Sequence, residues 1–414
     1  MIQRVHRYAA QQLGLAAYLA APGDGRRAPV VAARDVVWAL LAGYLLRDGA
    51  FHAVEDLVRS RARGALGLAA AFSDDTLAYV TERLDPACTR AAVVTAVRHA
   101  KRHKAFDDVW LIGLVVDGTT VTRCPTAACR CCHPIIVPHV PAAPHAGVAD
   151  EPPRPDARPA IGSVIGQQHK LSLISVVGGP LVLPLDVEPY GPADSELAAS
   201  LRLLDRSGAA LGRRFAQYVV ADSLYANAPF LHAVGDRGLR AIVRLKGNLP
   251  TLFAAVQARF RDQPPTLILD DAGERVELWD AEDFDPWDEL RWPTVRVLRS
   301  RQTHRDGTVD EAYWLTDFSP RRLSTRTLYR LAKGRWTIEN QGFNDAKTRY
   351  GLHHVPHHHP TSLLIHWLLV VLTLTLERLY RLRYLHRGSH PVLSAMALTR
   401  RLRLSLGPPP LDSS

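Results

Sequence analysis

Cysteine is scarce in this chain, with five residues among 414, and no apolar run is long enough to cross a membrane. A disulfide scaffold needs more cysteines, spread along the chain, so we expect reduced thiols and a cytoplasmic protein. The longest apolar run, Leu363–Leu376, has 14 residues, whereas a membrane span needs about 20. We interpret it as a buried helix. The apolar stretch Leu13–Ala21 is barely long enough for a secretory signal, so we do not expect export.

Acidic residues are outnumbered, with 41 Asp and Glu against 51 Lys and Arg, which gives a net charge of +10 and a pI near 9.6. An excess of positive charge is typical of proteins that bind polyanions, so nucleic acid is the expected partner. Hydrophobic residues make up 47% of the chain and charged residues 22%, which excludes a disordered chain. At about 150 residues per domain, the length predicts two or three domains.

Residues 1–105 have the pattern of a helical domain. Apolar residues recur at helical spacing in Asp35–Leu46 and Leu77–Leu84, and Ser73 precedes the second stretch as a cap. The region has 15 basic and nine acidic side chains. Two interpretations are open: a DNA-binding domain, or a packing domain whose basic face is solvated.

From residue 106 the pattern changes to short apolar runs, which are typical of buried strands. Val109–Val116 stops at Asp117, and Gln217–Ala221 stops at Asp222. The order of strands and helices predicts an α/β fold with a mixed sheet flanked by helices. The other predicted elements are strands at Lys170–Val177 and Pro180–Val187, joined by a Gly178-Gly179 hairpin, a strand at Ala241–Leu245, and helices capped by Ser195 and Asn227.

Two stretches interrupt this order of elements. Residues 134–161 hold eight prolines and are predicted to form a loop within a first catalytic segment, 106–249. Residues 250–320 are predicted to form a β-rich insertion, with the acidic run Asp280–Glu289 as a solvated edge. After the insertion we predict two long helices within 321–385, Leu328–Tyr350 and Ser362–Leu385, and a basic tail over 386–414.

Two aspartates, Asp117 and Asp222, follow two separate buried strands. Strand ends in a mixed sheet can lie side by side, so the two carboxylates are candidates for a shared metal site. Two Mg²⁺ or Mn²⁺ ions about 3.5–4 Å apart can assist both the attacking and the leaving oxygen of a phosphodiester displacement. Each aspartate also has a purely structural interpretation: a hairpin turn at Asp117 and a helix cap at Asp222.

A third segment, Leu328–Lys347, adds a family resemblance. Together with Asp117-Gly118-Thr119 and Ala221–Tyr225, this segment resembles the DDE transposases of bacterial insertion sequences. The resemblance covers nearly the whole chain, and it includes a β-rich insertion between the second Asp and the Glu, the strand-like Val243–Lys246, and Tyr350–His354. It implies a ribonuclease-H-like catalytic domain with an N-terminal helical domain.

The resemblance also implies roles for single residues. Asp117, Asp222 and Glu339 would be the catalytic residues and would bind two Mg²⁺ or Mn²⁺ ions. Arg335 lies one helical turn before Glu339, on the same face, where it can hold a phosphate. The implied DNA contacts are Arg335, Lys347, Tyr329, Lys246 and Arg244.

Lys347 departs from the family pattern by one residue. The family usually has a Lys seven residues after the Glu, which is Ala346 here, and a Tyr seven before it, which is Ala332. Lys347 is eight residues after Glu339, about 80° around an ideal helix. A one-residue π-bulge near Gly342 would return Lys347 to the catalytic face, and an uninterrupted α-helix there would exclude this. Core packing is the expected role of three neighbours, Trp336, Ile338 and Phe343.

Four of the five cysteines fall within nine positions. One interpretation is a structural Zn²⁺ site, and the other is reduced thiols in a flexible loop. The candidate ligands are Cys124, Cys129, Cys131, Cys132 and His133, with His139 and His169 farther on. Histidines at 353, 354 and 357–359 likewise form either a solvated loop or, for His354, a group near the scissile phosphate.

These features predict a Mg²⁺-dependent DNA transposase that cuts transposon ends and joins them to target DNA, with double-stranded DNA as partner. The resemblance implies a dimer assembled on the DNA. Two alternatives stay open: a ribonuclease-H-like nuclease that cuts without joining, and an inactive, domesticated DNA-binding protein.

Overall fold

The computed structural model describes residues 1–106, 110–124, 129–137, 163–177, 182–385 and 394–407, except for the side chains of 124, 288 and 336–340. Within these described residues, seven helices precede the first strand. The sequence prediction of a helical N-terminal region is confirmed, and Ser73 caps α6 by accepting a hydrogen bond from the backbone N–H of Thr76. These helices are α1 (Ile2–Gln12), α2 (Ala16–Ala20), α3 (Ala33–Leu46), α4 (Phe51–Arg59), α5 (Ala62–Leu66), α6 (Asp74–Thr81) and α7 (Pro86–Arg102).

Ten strands form one mixed sheet in the order β2-β3-β1-β5-β6-β10-β9-β8-β7, and β4 also pairs with β3. Strands β1, β3 and β4 pair antiparallel, whereas β1, β5 and β6 are parallel. This is the predicted α/β class, a mixed sheet flanked by helices. The strands are β1 (Gly113–Cys124), β2 (Cys132–Val137), β3 (Ser163–Val177), β4 (Leu183–Tyr190), β5 (Tyr218–Ala221), β6 (Arg240–Leu245), β7 (Leu267–Asp271), β8 (Glu274–Phe284), β9 (Val295–Thr303) and β10 (Val309–Thr316).

Two predictions are wrong, one about the end of strand β1 and one about the start of the proline-rich loop. Strand β1 does not stop at Asp117 but continues to Cys124, because the long strand β3 keeps pairing with it past a bulge at Val121. The interpretation of Asp117 as a hairpin turn is therefore excluded. The proline-rich stretch begins with strand β2, in which Pro134 pairs with Gln167 of β3 on an edge where a missing N–H is tolerated. Residues 138–161 of the predicted loop lie outside the described residues.

The segment predicted as a β-rich insertion contains helix α10 (Pro250–Arg261) and strands β7 to β10. Strand β10 pairs with β6, so these four strands extend the central sheet. The acidic run is not a solvated edge throughout, because Asp280 forms a buried ion pair with Arg296 at 2.5 Å. Its carboxylate also accepts a hydrogen bond at 2.7 Å from Thr325, the first residue of helix α11 (Thr325–Thr337). This contact connects the four added strands to that helix.

The remaining helices flank the sheet, and the longest of them, α13, connects it to the N-terminal helices. Helix α13 is long and apolar enough to cross a membrane, but 94% of its most apolar window is buried in the protein, as expected for a core helix. The Thr375 hydroxyl donates to the backbone of Pro184 in β4, and Ser362 hydrogen-bonds Thr81 of α6. These helices are α8 (Glu196–Leu211), α9 (Ala228–Asp236), α11 (Thr325–Thr337), α12 (Asp345–Tyr350), α13 (Pro360–Tyr384) and α14 (Ala395–Leu404).

Helix α14 lies in the segment predicted to be a basic tail. Its apolar face is buried through Leu398 and Leu402, and its Arg403 donates to the carbonyl of Leu46 at the end of α3 at 2.8 Å. The opposite face of the helix carries arginines, so the composition of this segment did not indicate a helix. Part of the basic segment is therefore packed structure.

Candidate functional site

The parallel pairing of β1 with β5 places Asp117 beside Asp222. The register matches Val115 with Val220, and extending it by two residues sets the two aspartates at the same level on neighbouring strands. Asp222 follows the last residue of β5, where it caps a short 3-10 turn by accepting the backbone N–H of Ser223 at 2.7 Å. Asp222 is thus a cap, and its carboxylate also lies next to that of Asp117.

Arg335 lies between the two carboxylates. Its Nη2 is 3.4 Å from Asp117 Oδ2 and 3.2 Å from Asp222 Oδ2. The aspartate side chains are 15% and 25% exposed and the guanidinium 12% exposed, so the three charges are largely shielded from water. The geometry therefore gathers two acids and one arginine that are far apart in the sequence.

Burial raises the pKa of Asp117 to about 6. The Arg335 guanidinium opposes this shift, whereas the negative charges of Glu196 and Asp222 add to it. Crowded carboxylates in a poorly hydrated site favour protonation of one of them. The same crowding favours a divalent cation, because bound positive charge relieves the repulsion.

Glu196 is a third carboxylate near this pair, and sequence reasoning missed it. It is the first residue of α8, where an acid normally only complements the helix end. Here the hydroxyls of Tyr225 and Tyr190 donate to its carboxylate at 3.0 and 3.3 Å. A Cβ atom placed on Gly118 would lie 2.0 Å from Glu196 Cδ, so the glycine after Asp117 makes room for this side chain. Only the three-dimensional packing of α8 on β1 reveals this.

A Gly118→Ala substitution is expected to displace Glu196 and to destabilise the fold by about 1–3 kcal/mol, because the added methyl group overlaps its carboxylate. Urea unfolding measures the effect. The control is Gly235→Ala in α9, where a Cβ meets nothing within 4 Å, so stability should be unchanged or slightly higher. Equal stabilities for the two variants would contradict the close approach of Glu196.

The helix that follows Arg335 contains the predicted π-bulge. Residues Ile338–Asn344 form a π-helical segment between α11 and α12, so the α-helical ladder is interrupted around Gly342. Lys347 consequently points back to the site, where its Nζ donates to Thr119 Oγ1 at 2.5 Å. Thr119 is two residues after Asp117 and so lies on the same face of β1. The predicted π-helical interruption near Gly342 is therefore present, and the role of Lys347 in the site stays a prediction.

Glu339 belongs to this π-helical segment. The segment as a whole packs against β1, but the side chain of Glu339 lies outside the described residues, as do those of Trp336 and Ile338. Phe343 is 4% exposed, which confirms its predicted core packing. The membership of Glu339 in a metal site therefore remains a prediction.

Arg378 of α13 stabilises the π-helical segment through hydrogen bonds and an ion pair. Its guanidinium donates to the carbonyls of Gln341 and Val182 and pairs with Asp345 Oδ2 at 3.0 Å. A π-helix leaves carbonyls without their usual α-helical partners. A buried arginine with several donors is suited to satisfy them.

Of the other predicted DNA contacts, two lie near the acids and one does not. Lys246 Nζ is 3.8 Å from Asp222 Oδ1. Arg244 is half-buried on β6, which ends one residue before Lys246. Burial lowers the pKa of Arg244, although the nearby charge of Asp222 opposes this shift. Tyr329 is 3% exposed, and its hydroxyl donates to Asp271 and Gln302 at 3.3 Å. These contacts favour a structural role for Tyr329, and its assignment as a DNA contact stays a prediction.

The cysteine-rich segment forms a cluster that differs from the predicted ligand set. The sulfurs of Cys129 and Cys132 meet His169 of β3 and His358 of the segment before α13. His133 instead bonds to the carbonyl of Tyr190 at 2.8 Å. Cys131 is half-buried and is not among the four clustered residues, and the Cys124 side chain and His139 lie outside the described residues.

The histidine patch is only partly solvated. His353 and His354 are exposed, whereas His357 bonds to Glu82, the residue after α6, at 2.7 Å. Desolvation lowers the pKa of His354. His353 bonds to the carbonyl of Lys347 at 2.5 Å. These contacts attach the segment after α12 both to the N-terminal helices and to the site.

Comparison with known proteins gives one family match. A family model described as the transposase DDE domain matches residues 111–376, more than half of the chain. No curated protein matches the chain. Among solved structures, the chain is similar to a piggyBac transposase synaptic complex with hairpin DNA, with 12% sequence identity and a TM-score of 0.44, over 100% of this chain and 80% of that one.

Proposed function

Because the chain belongs to the transposase DDE domain family, we propose that it is a DNA transposase that cuts the ends of a mobile element and joins them to target DNA. The observation that carries the proposal is the pair Asp117 and Asp222, side by side with Arg335 between them. Double-stranded DNA is the proposed partner, and a dimer on the DNA is the proposed working assembly. Glu339 is the proposed third acid.

The residues present fit divalent metal ions. Two carboxylates converge from neighbouring strands, and the guanidinium between them shows that the site accepts positive charge at that point. Hard oxygen ligands select Mg²⁺ or Mn²⁺ over softer metals. Asp117, Asp222 and Glu339 would hold the ions. When bound, two such ions lower the pKa of an attacking water or hydroxyl and stabilise the leaving oxygen.

The basic residues around the acids would hold the DNA backbone. Arg335 can turn its planar guanidinium from the aspartates to a phosphate and make two parallel hydrogen bonds. Lys347, held at Thr119, and Lys246, beside Asp222, flank the acids. Their charges would position the scissile phosphate and would make DNA affinity fall with increasing salt.

Metal affinity is expected to depend on pH through Asp117. Its pKa is raised to about 6, so a proton competes with the metal below that pH. In the absence of DNA, Mn²⁺ affinity should rise by up to about tenfold per pH unit as the pH approaches 6, and this dependence should level off above it. Isothermal titration calorimetry between pH 5 and pH 8 measures this.

The matched variant for this test is Glu196→Gln. Removing the negative charge of Glu196 lowers the pKa of Asp117, so the rise in Mn²⁺ affinity should occur at a lower pH. An unchanged pH profile in Glu196→Gln would mean that Glu196 does not influence Asp117. A wild-type affinity that is flat between pH 5 and pH 7 would contradict the raised pKa.

The source of the DNA substrate can be identified from the genome. We propose a bacterial insertion sequence as the element, with inverted repeats flanking the coding region. The test incubates the full chain and Mg²⁺ with labelled duplexes that carry these flanking sequences, together with a target plasmid. Nicking at the repeat end followed by covalent joining to the plasmid is expected.

Two other outcomes of the same assay would reject the proposal. Cleavage of the repeat end without joining, even when pre-cleaved ends with a free 3′-hydroxyl are supplied, would indicate a structure-specific nuclease. Tight binding to the repeats with neither cleavage nor joining would indicate an inactive DNA-binding protein.

A further inference from the structure

A second cluster of chemistry-bearing side chains lies apart from the acids. Cys129 lies between β1 and β2, Cys132 is the first residue of β2, His169 is on β3, and His358 lies just before α13. One ligand atom from each of the four lies within 4.8 Å of all the others. Cys129 Sγ is 3.5 Å from Cys132 Sγ and 3.3 Å from His169 Nε2, and Cys132 Sγ is 3.4 Å from the same nitrogen.

These distances fit a tetrahedral metal ion and not a disulfide. Zinc–sulfur bonds of about 2.3 Å and zinc–nitrogen bonds of about 2.0–2.1 Å place neighbouring ligand atoms roughly 3.4–3.8 Å apart in a tetrahedron. A disulfide would bring the sulfurs to about 2.05 Å, whereas both cysteines are free thiols. Two thiols and two imidazoles are a donor set that selects Zn²⁺.

The surroundings orient the ligands. The Thr122 hydroxyl bonds to His169 Nδ1 at 2.6 Å, which leaves Nε2 facing the two sulfurs. Such a second contact normally fixes the ring of a metal-binding histidine. The backbone N–H of Cys129 points at Cys132 Sγ at 3.3 Å, as suits a thiolate. Cys132 and His169 are buried, and burying such polar groups together is costly without a common partner.

We propose that Cys129, Cys132, His169 and His358 bind one structural Zn²⁺ ion. All four positions of a tetrahedron are filled by protein, which is typical of a structural site rather than a catalytic one. The ion joins the paired strands β1 and β3, the first of which carries Asp117, to the segment that follows Lys347. By cross-linking positions that are far apart in the sequence, the ion holds the strand that carries Asp117 next to the segment that follows Lys347.

The first test measures zinc in the wild-type full chain, so it does not depend on a variant that folds. Protein purified without chelator should contain about one zinc ion per chain by elemental analysis and native mass spectrometry. Replacement by Co²⁺ should give the intense visible bands of a tetrahedral site and a sulfur-to-metal charge-transfer band. A zinc content below about a tenth of an equivalent after purification with added Zn²⁺ would overturn the proposal.

Matched variants test the ligand set. Cys132→Ser and His358→Gln should each lose most of the zinc, whereas their neighbours Cys131→Ser and His359→Gln should keep about one equivalent. Thr122→Val, which removes the support of His169, should weaken zinc binding about 10- to 100-fold. Equal losses in Cys131→Ser and Cys132→Ser, or full zinc retention in His358→Gln, would reject this ligand set.

Discussion

Replacing Asp117 or Asp222 by Ala is expected to lower end cleavage by about a thousandfold or more, while DNA binding persists. Each substitution removes an oxygen ligand from the proposed metal site, and the metal ions contribute only when they are held in place at the reacting phosphate. It also frees Arg335 from one ion pair, so phosphate binding should not fall. A gel assay of nicking at the element's end, with DNA affinity measured in parallel, quantifies both effects.

The control for these variants is Asp262→Ala, an exposed aspartate after α10, which should cleave at the wild-type rate. Asp117→Ala should not be less stable, because removing one of several crowded carboxylates relieves repulsion. Asp222→Ala also loses the cap of the 3-10 turn, so it should be less stable by about 1 kcal/mol. Cleavage by either variant within about threefold of the wild-type rate would reject the catalytic assignment of that aspartate.

Arg378→Ala is expected to produce the largest loss of stability, about 3–5 kcal/mol. The side chain is 3% exposed and satisfies the carbonyl of Gln341 in the π-helical segment while pairing with Asp345. Its removal leaves buried acceptors without donors and frees the segment to return to an α-helix, which would turn Lys347 away from Thr119. Cleavage should therefore also fall. Urea unfolding and the cleavage assay measure the two effects.

The matched control on the same helix is Arg383→Ala, which replaces an exposed arginine. It should change stability by less than about 0.5 kcal/mol. Arg378→Lys keeps the charge but has a single donor group, so its stability should lie between those of the wild type and Arg378→Ala. If Arg378→Ala unfolds at the same urea concentration as Arg383→Ala, the arginine does not support the segment.

The elements near the acids were predictable because local patterns determine them. Continuous apolar runs marked β1 and β5 as buried strands, and their parallel pairing follows from the α/β order of elements. The position of Lys347 was also predictable, since an extra residue between it and Glu339 requires a bulge if both face the site. In this case the spacing of two residues along one helix was enough to predict the bulge.

The remaining features depend on contacts between distant segments, which a single sequence does not reveal. Glu196 has the pattern of a helix start, and only the packing of α8 on Gly118 brings it to Asp117. His358 joins Cys129 across more than two hundred residues, whereas the nearer His133 faces Tyr190. Tyr329 was assigned as a DNA contact by resemblance, and neither its burial nor its hydrogen bonds to Asp271 and Gln302 were predictable from the sequence.

Locating the metal ions tests most directly whether Asp117 and Asp222 share the catalytic ions. Crystals of the full chain grown with Mn²⁺ should show anomalous scattering from ions bound by Asp117 and Asp222, with Glu339 as a further ligand. Two peaks about 3.5–4 Å apart are expected, and Arg335 should have moved away from both aspartates. Cleavage-competent protein whose bound Mn²⁺ lies elsewhere, with Arg335 still between the two carboxylates, would contradict the claim that these acids share the catalytic ions.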